Sequence, residues 1–201
     1  MDNVEIKIIK EHQDILNIIK EPTPCLVNFD WHADYPRYSE EIIDVDHFVR
    51  QVDSAWYEHN WVAVLASYGY VKEFTWIFDH DYDKEDVKVF QSKSGDSIIF
   101  NKKFNKDMEI NCKYVTIDLD FFGCKKPVNW SPKDRIELLE ETLATLKADN
   151  VMLIISKSEH FVNYDVDKFL QGMMIEILCG KGKGDIYWKK GGDNIGRKVE
   201  I

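Results

Sequence analysis

The stretch Cys25-Leu26-Val27-Asn28-Phe29-Asp30-Trp31-His32-Ala33-Asp34 decides how the rest of the chain is read. Its first half is a compact apolar run of strand length, bounded by Pro22 and Pro24 before it and charged residues after it, as buried parallel strands are. Its second half spaces Asp30, His32 and Asp34 two apart, so in extended backbone all three point one way. They leave the strand at its carboxyl end, where open α/β sheets place ligands. Three such groups on one face carry a large desolvation cost unless something pairs them. Carboxylate oxygens with one imidazole suit Mn(II) or a similar divalent ion.

The pattern recurs downstream. Tyr114 to Ile117 is a second buried-strand candidate, followed at once by Asp118-Leu119-Asp120. Alone, a D-x-D reads as well as a strand end or loop cap; beside D-x-H-x-D it makes two acidic clusters on one sheet edge, which call for a cation between them. His12 follows the first expected strand and opens the first expected helix, eighteen positions before Asp30, and adds a third strand-end group.

Outward from these motifs, strands and helices alternate. Val4 to Ile9 alternates apolar and charged residues as a strand does, and Asp14 to Lys20 has the apolar spacing of a helix stopped by the prolines. Asp46 to Tyr70 predicts two helical pieces ending at Gly69, and Phe74 to Phe78 a further strand. The polar region 79–111, with strand-like pieces at Val87 to Phe90 and Ser97 to Phe100, reads as an insertion or hairpin outside the main sheet. A helix from Ser131 to about Lys147 carries Pro132 at its first position, Val151 to Ile155 is a strand, and a last helix is expected over 165–178. The Gly- and Lys-rich tail from about residue 180 reads as weakly ordered, with Asp185 to Trp188 able to pair at a sheet edge. The expected fold is α/β: a three-layer α/β/α arrangement with a mostly parallel sheet, forming one domain over residues 1–201.

Bulk properties exclude some functions. A chain of 201 residues with 44% hydrophobic residues can bury one sizeable core. Its formal net charge of −10 argues against a phosphate-neutralising surface, so no nucleic-acid partner is expected. Cys25, Cys112, Cys124 and Cys179 lie far apart and form no C-x-x-C pair, which reads as reduced thiols in a cytoplasmic protein. No segment approaches the length of a membrane span, and the first ten residues do not resemble a secretion signal. Oligomerisation is left open.

Asp30, His32 and Asp34 resemble the D-x-H-x-D metal motif of arginases, agmatinases and related ureohydrolases, and Asp118 and Asp120 resemble their later D-x-D. With His12 in the place of a further histidine, the order matches that family's six ligands. Glu11-His12, Asn28 to His32, Asn60-Trp61 leading to Trp76-Ile77, and Ile117 to Phe122 are similar to a small branch that includes peptide arginases. The resemblance covers roughly residues 4–160 and implies the arginase/deacetylase fold. It also implies two Mn(II) ions, with Zn(II) or Fe(II) as substitutes, and a bridging water used to hydrolyse a guanidinium group. The larger family follows its D-x-D with an acid and a proline, where this chain has Gly123 and Cys124. That departure points away from free arginine and towards arginine within a peptide, or another guanidinium substrate.

A planar, forked guanidinium needs an acid beyond the metal ligands. Glu159, just after the Val151 to Ile155 strand, is the candidate, with His160 or His47 as proton carriers for the leaving amine. Trp31 reads either as a pocket wall or as a packed core residue; His59 and His80 receive no role. Three other readings compete. A haloacid-dehalogenase-type phosphatase would leave Asp30, His32 and Asp34 unexplained. A single-metal amide deacylase on the same fold would keep fewer carboxylate ligands. A catalytically degenerate binding module would bind without turnover.

Overall fold

The computed structural model describes residues 3–35, 40–51, 59–80, 84–123, 132–156, 184–190 and 193–198. In chain order these form β1 (Asn3–Ile9), a 3-10 helix (His12–Asn17), β2 (Thr23–Phe29), β3 (Ile42–Asp44), α1 (Val45–Gln51), α2 (Trp61–Ser67), β4 (Val71–Phe78), β5 (Asp86–Gln91) and β6 (Ser97–Lys103). They continue with β7 (Tyr114–Asp118), α3 (Asp120–Gly123), α4 (Pro132–Ala144), β8 (Asn150–Ser156), β9 (Gly184–Lys190) and β10 (Asp193–Lys198).

All ten strands join one sheet in the order β10-β9-β1-β8-β7-β2-β4-β6-β5-β3. Every pairing is parallel except β9 with β10 and β5 with β6. The mixed α/β class with a mostly parallel sheet therefore stands as the sequence predicts. β7 and β2 are immediate neighbours, with Phe29 opposite Ile117, so the two acidic motifs leave the sheet side by side.

The central strands are buried at their carboxyl halves on both faces, which is why they read as apolar runs without alternation. Their side chains nevertheless divide between two clusters. Val27, Phe29, Val115, Ile117, Leu153 and Ile155 pack with Leu138, Leu139 and Leu143 of α4. Leu26, Phe74, Trp76 and Ile154 pack with Ile15 of the 3-10 helix and with Trp61, Val62 and Leu65 of α2. Residues two apart share a cluster because strand side chains alternate.

α2 ends as its sequence directs. Gly69 sits at φ 70, its N–H bonds the carbonyl of Ala66, and the N–H of Tyr70 reaches back to Leu65. These two bonds satisfy carbonyls left over at the helix end. A Cβ at Gly69 would also crowd Ser94 at 3.0 Å, so the backbone angle favours glycine and the space is tight for anything larger.

Three expectations change, and one pairing is met. The Asp14 to Lys20 helix is a 3-10 turn beginning at His12. The hairpin within 79–111 exists as β5 and β6, but it is part of the main sheet, because β6 pairs in parallel with β4 from Glu73 to Phe78. In the tail, Asp185 to Trp188 pairs along β1 towards the sheet edge as the sequence allowed, within β9, and β10 follows as the edge strand. Cys25 and Cys112 are joined in a disulfide with Cα atoms 5.9 Å apart, where the sequence suggested reduced thiols. The adjacency of β2 and β7 brings together two cysteines 87 residues apart, a closeness no local pattern reports. The helix expected over 165–178, with Cys124 and Cys179, lies outside the described residues. Among the described residues no helix is long and apolar enough to cross a membrane.

Leu139 on α4 is fully buried against the strand cluster. Leu139→Ala should cost about 2–5 kcal/mol through lost transfer energy and a residual cavity. The expected readout is a lower urea midpoint with an unchanged m-value.

Candidate metal centre

The strand β2 ends at Phe29, so Asp30 to Asp34 leave the sheet in bends rather than as a continued strand. Asp34 adopts φ 54, the left-handed region that aspartate tolerates better than most residues. The bends still bring the three side chains to one cluster: Asp30 and Asp34 both reach His12, and Asp30 also groups with His32.

Two groups of potential ligands result, and they share Asp30. One comprises His12, Asp30 and Asp118; the other Asp30, His32 and Asp120; in each, the donor atoms lie within 4.8 Å of one another. Nδ1 of His12 is 2.7 Å from Asp34, 3.1 Å from Asp30 and 3.3 Å from Asp118. Nδ1 of His32 is 2.8 Å from Asp120. All six residues named from the motifs are therefore brought together at the carboxyl ends of β1, β2 and β7. His12, Asp30, Asp34, Asp118 and Asp120 are buried, while the His32 side chain is 41% exposed and marks the solvent side.

Neighbouring groups hold these side chains in place. Asn28 and Thr116 stand two residues before Asp30 and Asp118 on their strands. Asn28 Nδ2 donates to Asp30 at 3.0 Å, and Thr116 Oγ1 lies 2.8 Å from His12 Nε2. When Nε2 carries the imidazole proton, Nδ1 turns its lone pair to the carboxylates, the orientation a metal-ligating histidine takes. The backbone N–H of Trp31 donates to Asp120, that of His32 to Asp30, and that of Asp120 to Asp118. The Trp76 indole donates to the Asp30 carbonyl, and the Trp61 indole to the Asp34 carboxylate at 2.5 Å. His80, at the carboxyl end of β4, is buried with Nε2 3.1 Å from the Trp31 carbonyl and its ring 4.5 Å from the Trp31 ring. Trp31 is thus a packed residue between two ligands.

The electrostatics are those of an acid cluster lacking enough positive charge. Burial, followed by the charges of Asp34 and Asp118, pushes the Asp30 carboxyl well above its usual range. Burial, then Asp118 and Asp30, does the same to Asp120. For Asp34 burial acts upwards, but His12 and the Trp61 indole outweigh it and leave the carboxyl below its usual range. Burial opposes protonation of His12, yet the Asp34 charge and the surrounding carboxylates lift its pKa well above the ordinary value. The hydrogen bond to Asp120 raises that of His32. Asp120 Oδ2 and His12 Nδ1 are buried and each faces an opposite ionic group, His32 Nδ1 for the first and the Asp34 carboxylate for the second. Buried hard oxygens with inward-turned imidazole nitrogens form a donor set that fits divalent ions of the Mn(II) type.

His47 does not join this cluster: it is exposed on α1, which packs against α2 and β5. That helix follows β3, the last strand at the far edge of the sheet, and His47 is in neither group of clustered donor atoms. Glu159 and His160 lie outside the described residues, just beyond β8, whose Ser156 pairs with Asp118. An open cleft of about 640 Å³ lies at the carboxyl ends of β4 and β6, lined by Phe78, Glu85, Lys103, Phe104, Lys106 and Glu141 among others. The Phe104 ring packs on Phe29 and Phe121, the residues immediately before Asp30 and after Asp120.

Sequence reading passed over Asn28, Thr116, Trp61, Trp76 and His80 as supports. Two-residue spacing from the acids was a usable signal for Asn28 and Thr116; Trp61 and Trp76 stood only within segments of resemblance, and His80 carried no signal. No family model matches this sequence, and neither does any curated protein.

The pKa directions set a pH dependence for the metal-free chain. Asp30, Asp120, His12 and His32 bind protons more tightly folded than unfolded, so their contribution is complete below the unfolded values and is lost as pH rises through the folded ones. The loss starts above about 4 for the acids and about 6.5 for the histidines. Asp34 acts in the opposite sense, but only below its usual range. In a chelator the melting temperature should therefore fall from about pH 5 to about pH 8, and excess Mn(II) should raise it most at the upper end.

Proposed function

We propose that the chain is a metal-dependent hydrolase of the ureohydrolase type, with a three-layer arginase-like α/β/α fold, that cleaves a guanidinium group. Arginine within a peptide, giving ornithine and urea, is the substrate class the reading favours. The observation that carries it is the pair of ligand groups sharing Asp30, built from motifs in the order that ureohydrolases use. The partly exposed His32 supports an approach from solvent on that side.

His12, Asp30, Asp34 and Asp118 would hold one divalent ion, and Asp30, His32 and Asp120 the other. Bound there, such ions supply Lewis acidity and lower the pKa of water enough to provide a nucleophile near neutral pH. The chain's own residues orient and insulate. Asn28 and the His32 N–H fix the two oxygens of Asp30, and the Trp31 N–H and His32 fix those of Asp120. Phe29, Phe121 and Phe122 are fully buried next to the ligands and keep the inner side dry, which strengthens charge interactions there. A net charge of −10 gives the surface a negative field that favours a cationic substrate over an anionic one.

Elemental analysis of Mn-loaded protein should find two ions per chain; one Zn per chain would favour the single-metal deacylase instead. The loaded protein should release urea from an arginine-containing peptide, and His32→Ala and Asp120→Ala should each abolish that release. No urea from free arginine, agmatine or a peptide library would sink the ureohydrolase reading, and saturable binding without turnover would identify a binding module.

A further inference from the structure

Trp61 opens α2 and is fully buried, although no motif in the sequence assigns it chemistry. Its indole N–H donates to Asp34 Oδ2 at 2.5 Å, and its ring lies 4.8 Å from the His12 ring, tilted by 45°. The next residue, Val62, donates its backbone N–H to the Asp34 carbonyl at 3.3 Å. One helix start therefore grips Asp34 by both carboxylate and carbonyl, at a residue whose φ of 54 disfavours most side chains. The far side of the Trp61 ring packs edge-on against Phe74 at 5.8 Å, which leaves the indole little freedom to turn. Of the two ligand groups, this contact reaches only the inner one; Asp30, His32 and Asp120 are held by other donors.

We infer that Trp61 is a positioning residue for the inner ion alone: its N–H fixes the Asp34 carboxylate and its ring fixes the His12 imidazole, making the two ions unequal in affinity. The inference rests on the metal-centre reading and deepens it. Groups that orient metal ligands typically change affinity by about 10- to 100-fold when removed. An indole N–H is a donor only, so it can bond the carboxylate without competing for the cation.

Trp61→Phe keeps a ring against His12 and Phe74 and removes the donor. Mn(II) binding to the full chain is counted from the electron paramagnetic resonance of the free ion, beside melting curves in chelator that report folding. The expected result is that the unsubstituted chain binds two ions, and that W61F weakens one by about 10- to 100-fold while the other stays within about twofold. Equal affinities in both proteins, or equal weakening of both ions, overturns the inference and leaves the metal centre standing. An unsubstituted chain that binds no Mn(II) overturns the metal centre itself.

Should W61F fail to fold, the unsubstituted chain decides by nuclear magnetic resonance with 15N-labelled tryptophan. The indole resonance displaced in Asp34→Asn belongs to Trp61, and saturation with Zn(II) must displace the same resonance again. A resonance that stays in place overturns the inference.

Discussion

Asp30, Asp34, Asp118 and Asp120 are all buried around two imidazoles, and much of the molecule can be understood from the difficulty of putting them there. Like charges this close cannot all remain ionised without a positive partner, and burial removes the water that would screen them. Burial and mutual repulsion accordingly lift Asp30 and Asp120 above the carboxylate range, and the carboxylates lift both histidines. A divalent ion would resolve the same conflict by replacing protons with metal charge. The crowding of buried acids is what makes the cluster a candidate cation site.

Such a cluster persists only because the fold around it is rigid and well supplied with donors. β2 and β7 lie side by side in parallel, so their carboxyl ends deliver Asp30 and Asp118 to one place, and β1 delivers His12 to the same edge. Backbone N–H groups of Trp31, His32 and Asp120 bond the acids rather than the sheet ladder, and β2 itself ends at Phe29. Tryptophans at 61 and 76 add donors that bring no charge of their own and fill large volumes in the same stroke. Packing and ligand orientation are here the work of the same side chains.

The strands were largely legible because buried parallel strands announce themselves as short apolar runs, and β2, β7 and β8 are of that kind. Partnership was not. Nothing near Ser97 to Lys103 says that its neighbour is β4 as well as β5, so the hairpin seemed to lie apart from the sheet it extends. Likewise the link between Cys25 and Cys112 follows from the adjacency of β2 and β7, while their spacing of 87 residues suggested two unrelated thiols. The 3-10 turn at His12 replaces a longer helix expected after Asp14, since apolar spacing cannot tell a tight turn from an α-helix over so short a span.

For the site, the sequence by itself marked out the residues that cluster: short-range spacing after apolar runs places acids at strand ends, and that spacing is written in the chain. It took Asp30 to Asp34 as extended, whereas they leave the strand in bends, with Asp34 in the left-handed region. Only the tertiary structure decided that Asp30 stands between two groups, that His47 belongs to neither, and that Trp61 and His80 close in from other elements. The reason is physical: ligand identity depends on a few bonds along the chain, whereas ligand geometry depends on which strands and helices pack together, a choice made by the whole core.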